Sequence, residues 1–235
     1  MKFIPILFST EMVQAILAGR KTQTRRTKGL HAVTDCYFQS LVLHTTGKYT
    51  FVPNGNFNPS DKNFVEVKCP YGRPDDVLWV RETLYQNGEL GLEYVADNES
   101  IDEDIIPHNF NFRLDKNDNY KFCKIPNIYM EKWACRLFLR IKDIRVERLQ
   151  NISEQDIQNE GIVYDGKWVL GKENNALSFL PEGVNLRDNP PTLYQSLFAK
   201  WAELWCSINK IDSWNSNPWV WVIEFEKIEK PDDFC

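Results

Sequence analysis

The chain of 235 residues is 43% hydrophobic, 26% charged and 13% aromatic, which argues against a wholly disordered, collagen-like or repeat-array protein; this length buries roughly 70–75% of its unfolded surface without staples. Six scattered cysteines with no C-x-x-C pair, and the distant histidines His31, His44 and His108, argue against a zinc motif or a disulfide scaffold, so free, mostly buried thiols and no metal or cofactor are expected. The net charge of −5 opposes a broad non-specific grip on nucleic-acid phosphates, and no apolar run approaches the roughly 20 residues of a membrane span.

Phe3–Ser9 reads as a buried opening strand. Ser9 or Thr10 then caps a short helix with Met12, Val13, Ile16 and Leu17 on one face, and Gly19 stands where a left-handed C-terminal residue is expected. No small-residue cleavage site follows the apolar start, so a signal peptide is not expected and a cytosolic protein is. Residues 28–68 read as an insertion with a hairpin turning at Thr46–Gly47 and an Asn/Pro/Gly-rich loop. Val77–Glu82 is a second strand, and residues 86–128 a poorly regular insertion. Cys135–Leu149 alternates like a long strand, with a bulge expected near Lys142–Asp143 where the alternation slips.

Ser153 and Asp156 form a potential capping box, with Ile152 and Ile157 as a staple, for a helix that Gly161 ends. After a third insertion at 165–190, Thr192 caps a helix over Leu193–Cys206 whose Leu193, Leu197, Trp201, Leu204 and Trp205 share an apolar face. Trp219–Lys227 is the last strand, and residues 231–235 read as a frayed tail. Strands outnumber helices without regular interleaving, so the expected class is α+β, a mixed barrel with helices packed at its rim, in one elaborated domain over residues 1–230.

Chemistry concentrates in Arg20–Lys28. This acid-free segment carries Arg20, Lys21, Arg25 and Arg26 beside Thr22 and Thr24, and a compact basic site on an acidic protein suits a small anionic or nucleotide-like ligand. A site that desolvates Lys21 and crowds it with Arg20, Arg25 and Arg26 would depress its pKa and make it a base for the Thr24 hydroxyl. Glu160 closes its helix where the dipole disfavours a second negative charge, which makes it a proton donor. The plainer alternatives are a solvated basic turn and an exposed helix-end glutamate. Glu82 is a candidate partner for Arg25 or Arg26, Tyr71 and Trp79 are candidates to stack on or line a base pocket, and the remaining tryptophans fall on core faces.

Ile16-Leu-Ala-Gly-Arg-Lys-Thr-Gln-Thr-Arg-Arg26 resembles the signature of ASCH domains. Cys69–Glu82, Ile152–Gly161 and Ser213–Phe225 are similar, in the same order, to blocks of the longer ASCH proteins found in phages and prophages. The resemblance implies a PUA-like β-barrel that binds a nucleoside or single-stranded RNA. At the motif level it implies an amidohydrolase acting on N4-acetylcytidine, with Lys21 as proton acceptor, Thr24 as nucleophile and Glu160 as proton donor. The same resemblance admits a module that binds RNA or a modified base without chemistry. Relatives commonly carry Pro-Gly-Asp where this chain has Pro74-Asp75-Asp76; if that turn needs positive φ, Asp75 has to supply it without glycine's freedom.

Overall fold

The computed structural model describes residues 1–30, 33, 36–37, 48–53, 65–88, 91–117, 119–163 and 193–234. The hairpin turn expected at Thr46–Gly47 and the insertion at 165–190 lie outside them. The fold is mixed α and β with several sheets and few helices, and among the described residues no helix is long and apolar enough to cross a membrane. The chain divides into two compact units: Met1–Gly19, Tyr71–Lys142 and Phe225–Cys235 form the first, Arg20–Pro70 and Asp143–Glu224 the second.

In the first unit, β1 (Phe3–Leu7) pairs in parallel with β6 (Val77–Arg81), placing Phe3 beside Val77 and Leu7 beside Arg81. Antiparallel β10 (Phe138–Arg148) lies on the other side of β6. The helix read after β1 is α1 (Thr10–Leu17), with Ser9 Oγ accepting from Met12 N and Gly19 at φ +70°. A second sheet has the order β8-β7-β9, from β7 (Leu84–Asn87), β8 (Leu92–Tyr94) and β9 (Phe122–Ile125).

The stretch read as an irregular insertion is thus organised, and buried Gln86 explains how. Its Nε2 donates to the carbonyls of Arg113 and Lys121 at 2.8 and 2.9 Å, and its Oε1 accepts from Arg113 N at 2.8 Å. Strands of three or four residues are too short to show periodicity, and a glutamine does not read as a core residue. The tail also differs from the frayed end expected. Phe234 is buried, its ring edge-on to Phe3 and Phe138 at 5.1 and 4.7 Å, because one aromatic side chain buries enough apolar surface to hold a short end.

The second unit contains β2 (Gln23–Arg26), the later parts of β10 and of β11 (Trp219–Ile228), and a sheet of order β3-β4-β5 from β3 (Cys36–Tyr37), β4 (Lys48–Pro53) and β5 (Val65–Lys68). β11 pairs antiparallel with β2, setting Ile223 opposite Thr24 and Val222 opposite Arg25. Helices α2 (Glu154–Asn159) and α3 (Leu193–Asn215, kinked at Lys210, φ +67°) pack Ile157, Leu197, Trp201 and Trp205 with Leu149, Val220 and Val222. Ser153 caps α2, its Oγ accepting from Asp156 N at 3.1 Å. The phase slip read in β10 is present: Lys142 and Asp143 are both exposed, the buried set changes from Leu139 and Ile141 to Ile144 and Val146, and the boundary between units falls between those two residues.

The turn into β6 carries the strain that its sequence suggests. Asp76 N bonds Arg73 O at 3.0 Å, with Pro74 and Asp75 central and Asp75 at φ +72°, the type II pattern in which glycine is favoured. Asp76 secures it by accepting from Lys2 N and Arg73 N. Asp75→Val is expected to be about 1–2 kcal/mol less stable than Asp75→Gly, since a β-branched side chain fits the left-handed region worst; denaturant unfolding of the two variants reads the difference, and equal midpoints would refute the strain.

Candidate functional site

Every polar group that gathers around Glu160 belongs to the second unit. The site starts with backbone. Lys21 and Glu160 form an isolated antiparallel bridge, Thr22 N donates to Asn159 O at 2.8 Å, and Arg20 Nη1 donates to Gly161 O at 3.1 Å. Three successive residues after α1 are thereby clamped to three at the end of α2, where Gly161 turns the chain at φ +90°. Carbonyls at a helix end need donors, and a basic segment supplies them.

The side chains close the arrangement. Lys21 Nζ donates to Glu160 Oε2 at 2.7 Å and to the Glu160 carbonyl at 3.0 Å. Arg25 Nη1 donates to Glu160 Oε1 at 3.2 Å, while its Nη2 reaches Glu147 Oε2 at 3.1 Å and Asp156 Oδ2 at 3.4 Å. Arg145 completes the network, donating to Glu147 at 2.6 Å, to Asp156 at 3.1 Å and to Glu224. The Arg25 guanidinium also lies over the Trp201 ring, 5.8 Å from its centroid.

Lys21, Thr24, Arg25 and Glu160 are all buried. Burial holds the Lys21 amine below the ordinary lysine value of 10.5; the Glu160 carboxylate opposes this, and Arg26 and Arg25 reinforce it. Desolvation works to raise Asp156, but Arg25 and Arg145 outweigh it and hold that carboxyl below the usual range. Two buried polar atoms, Gln23 Oε1 and Arg25 Nε, have no hydrogen-bond partner among the described residues.

Of the residues singled out in the sequence, the structure brings Arg20, Lys21, Arg25 and Glu160 together. Thr24 lies between them on β2, where the pleat turns it to the face opposite Gln23 and Arg25. Arg26 is half-buried at the end of β2. Tyr71, Trp79 and Glu82 belong to the first unit. There Trp79 packs 6.1 Å from the Phe234 ring, and Glu82 is partnered by Arg136 at 2.9 and 3.0 Å, in place of the Arg25 or Arg26 expected for it. An arginine fork satisfies both oxygens of a buried carboxylate, which accounts for the choice. Glu147, Asp156 and Arg145 were not singled out as site residues, although Arg145 and Glu147 are charges spaced two apart on one face of a long apolar strand. Comparison with protein-family models, with curated proteins and with solved structures finds no match.

Removing the Glu160 charge leaves buried Lys21 without a carboxylate, while Arg25 keeps Glu147 and Asp156; removing Lys21 leaves Glu160 with Arg25. Glu160→Gln is therefore expected to cost about 3–5 kcal/mol of stability, and Lys21→Met less than half of that; equal losses in denaturant unfolding would contradict this arrangement. The depressed Lys21 pKa also sets a sign. The unfolded lysine holds more protons than the folded one between the depressed value and 10.5, so the stability of the wild type relative to Lys21→Met rises with pH through that window. A flat or falling difference between the two unfolding curves would count against a desolvated amine.

Proposed function

We propose that this chain is an ASCH-type protein with a PUA-like barrel, and that Lys21, Thr24 and Glu160 hydrolyse the amide of an acylated cytidine or similar nucleoside. The observation that carries the reading is the buried Lys21–Glu160 pair at 2.7 Å, between residues 139 positions apart in sequence. A buried lysine beside a carboxyl group can exist as amine and acid as well as ion pair, because low dielectric penalises the charged forms. Those neutral forms are the base and the acid that amide hydrolysis requires.

In this reading Thr24 Oγ1 attacks the acyl carbonyl while its proton passes to the Lys21 amine. The oxyanion is stabilised by neighbouring donors. Glu160 gives its proton to the departing N4 nitrogen as the C–N bond breaks, releasing cytidine. Water then cleaves the Thr24 ester to free acid and threonine, and the proton on Lys21 returns to Glu160.

A second reading, a pocket that binds single-stranded RNA or a modified base without chemistry, is favoured by the placement of Thr24 on the opposite face of β2 and by Arg25, which occupies Glu160 Oε1. Arg25 is itself fully buried against carboxylates, so phosphate contact in that reading falls to Arg20 and Arg26.

Turnover of N4-acetylcytidine, free and within RNA oligomers, decides between them. The wild type is expected to release acetate, Thr24→Ala and Lys21→Ala to lose roughly 10³-fold or more while retaining the wild-type circular dichroism, and Thr24→Ser to keep part of the activity. A wild type silent on both substrates, with salt-sensitive RNA affinity that falls in Arg20→Ala, would replace the first reading by the second.

A further inference from the structure

The edge of the small sheet in the first unit carries aromatic rings that packing does not use. β9 alternates, with Cys123 and Ile125 on its inner side and Phe122 and Lys124 turned to water. Phe122 is 67% exposed, and Tyr120 and Tyr129, which flank β9 in the chain, are 42% and 64% exposed. Arg113, Lys121 and Lys124, all exposed, stand among them. We infer that this strip binds single-stranded nucleic acid, with bases stacked on the rings and phosphates met by the cations. The inference rests on the first unit alone and stands apart from the reading of the Lys21 site.

Each ring is seated against a neighbour yet remains open to solvent. Phe122 lies on Gly88, at φ +68°, where any side chain would collide with the ring's Cε2 and Cζ, so glycine is what lets the ring rest on backbone. Tyr129 has the Arg113 guanidinium 5.7 Å from its centroid, and Tyr120 is edge-on to Phe112 at 5.9 Å. Rings already held in this way lose little freedom when a second flat group covers them, which lowers the entropic cost of binding. The contacts also join the two ends of β9: Lys121 N donates to Arg113 O at 2.8 Å while the Arg113 guanidinium reaches Tyr129.

The charge around the rings selects the occupant. Residues 113–132 hold five cations, Arg113, Lys116, Lys121, Lys124 and Lys132, against Asp115, Asp118 and Glu131, a positive stretch in a chain of net charge −5. Asp115 is engaged by its own loop, its Oδ1 accepting from Asn117 N and Asn119 N. Lys121 and Lys124 form no ion pair among the described residues. A second copy would set like charges against one another across β9. An acidic peptide would answer the cations but offer the flat rings no flat partner, and a duplex keeps its bases stacked on each other. A single strand presents both π-faces and phosphates. The strip is short, so it grips a few phosphates and is compatible with an acidic chain.

The test uses the full chain with fluorescein-labelled oligo(rU) and oligo(dT) of about ten nucleotides, read by anisotropy at low salt. Saturable binding to both is expected, because rings read bases and not sugars, at least roughly tenfold tighter than to a duplex of about ten base pairs. The logarithm of affinity is expected to fall with the logarithm of salt at a slope of about −1.4 to −2.1, for two or three phosphate contacts, and Lys124→Gln to reduce that slope by about 0.7. Phe122→Leu and Tyr129→Leu keep apolar bulk without a flat face, and each is expected to weaken binding roughly fivefold or more; Tyr129 lies outside the sheet, so its variant keeps the test open if Phe122→Leu disturbs β9. No saturable binding, an affinity unchanged in both leucine variants, or a ten-residue polyglutamate bound as tightly as the oligonucleotides would each overturn the proposal. Binding that survives both leucine variants and falls in Arg20→Ala would also overturn it, and would place the strand at the Lys21 site instead.

Discussion

A carboxylate removed from water needs donors for both oxygens, and the second unit is arranged around meeting that need at Glu160. Lys21 takes one oxygen and Arg25 the other. A second buried cation then requires its own partners, which Glu147 and Asp156 supply, and these carboxylates in turn draw in Arg145 and Glu224. The side chains pass from fully buried at Lys21 and Arg25 to 40% exposed at Glu224. Glu147, Asp156, Arg145 and Glu224 all lie in wetter places than Lys21, Arg25 and Glu160, so the desolvation penalty falls from the centre of the network to its edge. Removing the innermost carboxylate undoes the reason for the rest.

What the sequence made legible was local. The Ser153 cap, the Gly19 and Gly161 left-handed ends, the strand at Val77 and the slip at Lys142–Asp143 depend on neighbours within a few residues, and the fold reproduces them. The basic run at Arg20–Lys28 was also visible, because five cations without an acid stand out of any background. The partners were not. Which carboxylate faces Arg25 depends on strand register and on the seat of α2, and neither is written in a window of ten residues. Glu82 was read toward the basic run for the same reason, whereas Arg136, 54 residues away, holds it. Gln86 and Phe234 were passed over because a buried amide and a tail aromatic act through single contacts rather than through a repeating pattern.

The two buried glutamates show what structure alone demands. Glu82 is raised by desolvation and opposed by Arg136, whose fork meets both of its oxygens. One arginine is enough there. Its guanidinium never gives up a proton at working pH, so the pair is a fixed charge with a fixed orientation.

Glu160 has an arginine too, but it has a lysine in addition, and burial lowers the pKa of that lysine. Holding the carboxylate in place requires no such group. A second arginine would satisfy the geometry, would resist desolvation better and would keep its proton in the folded state. The presence of an amine at 2.7 Å, with its affinity for the proton depressed by burial, is therefore the feature that packing does not call for. Arg25 fixes where the carboxyl group points, and Lys21 is the member of the pair whose chemistry the packing leaves unexplained.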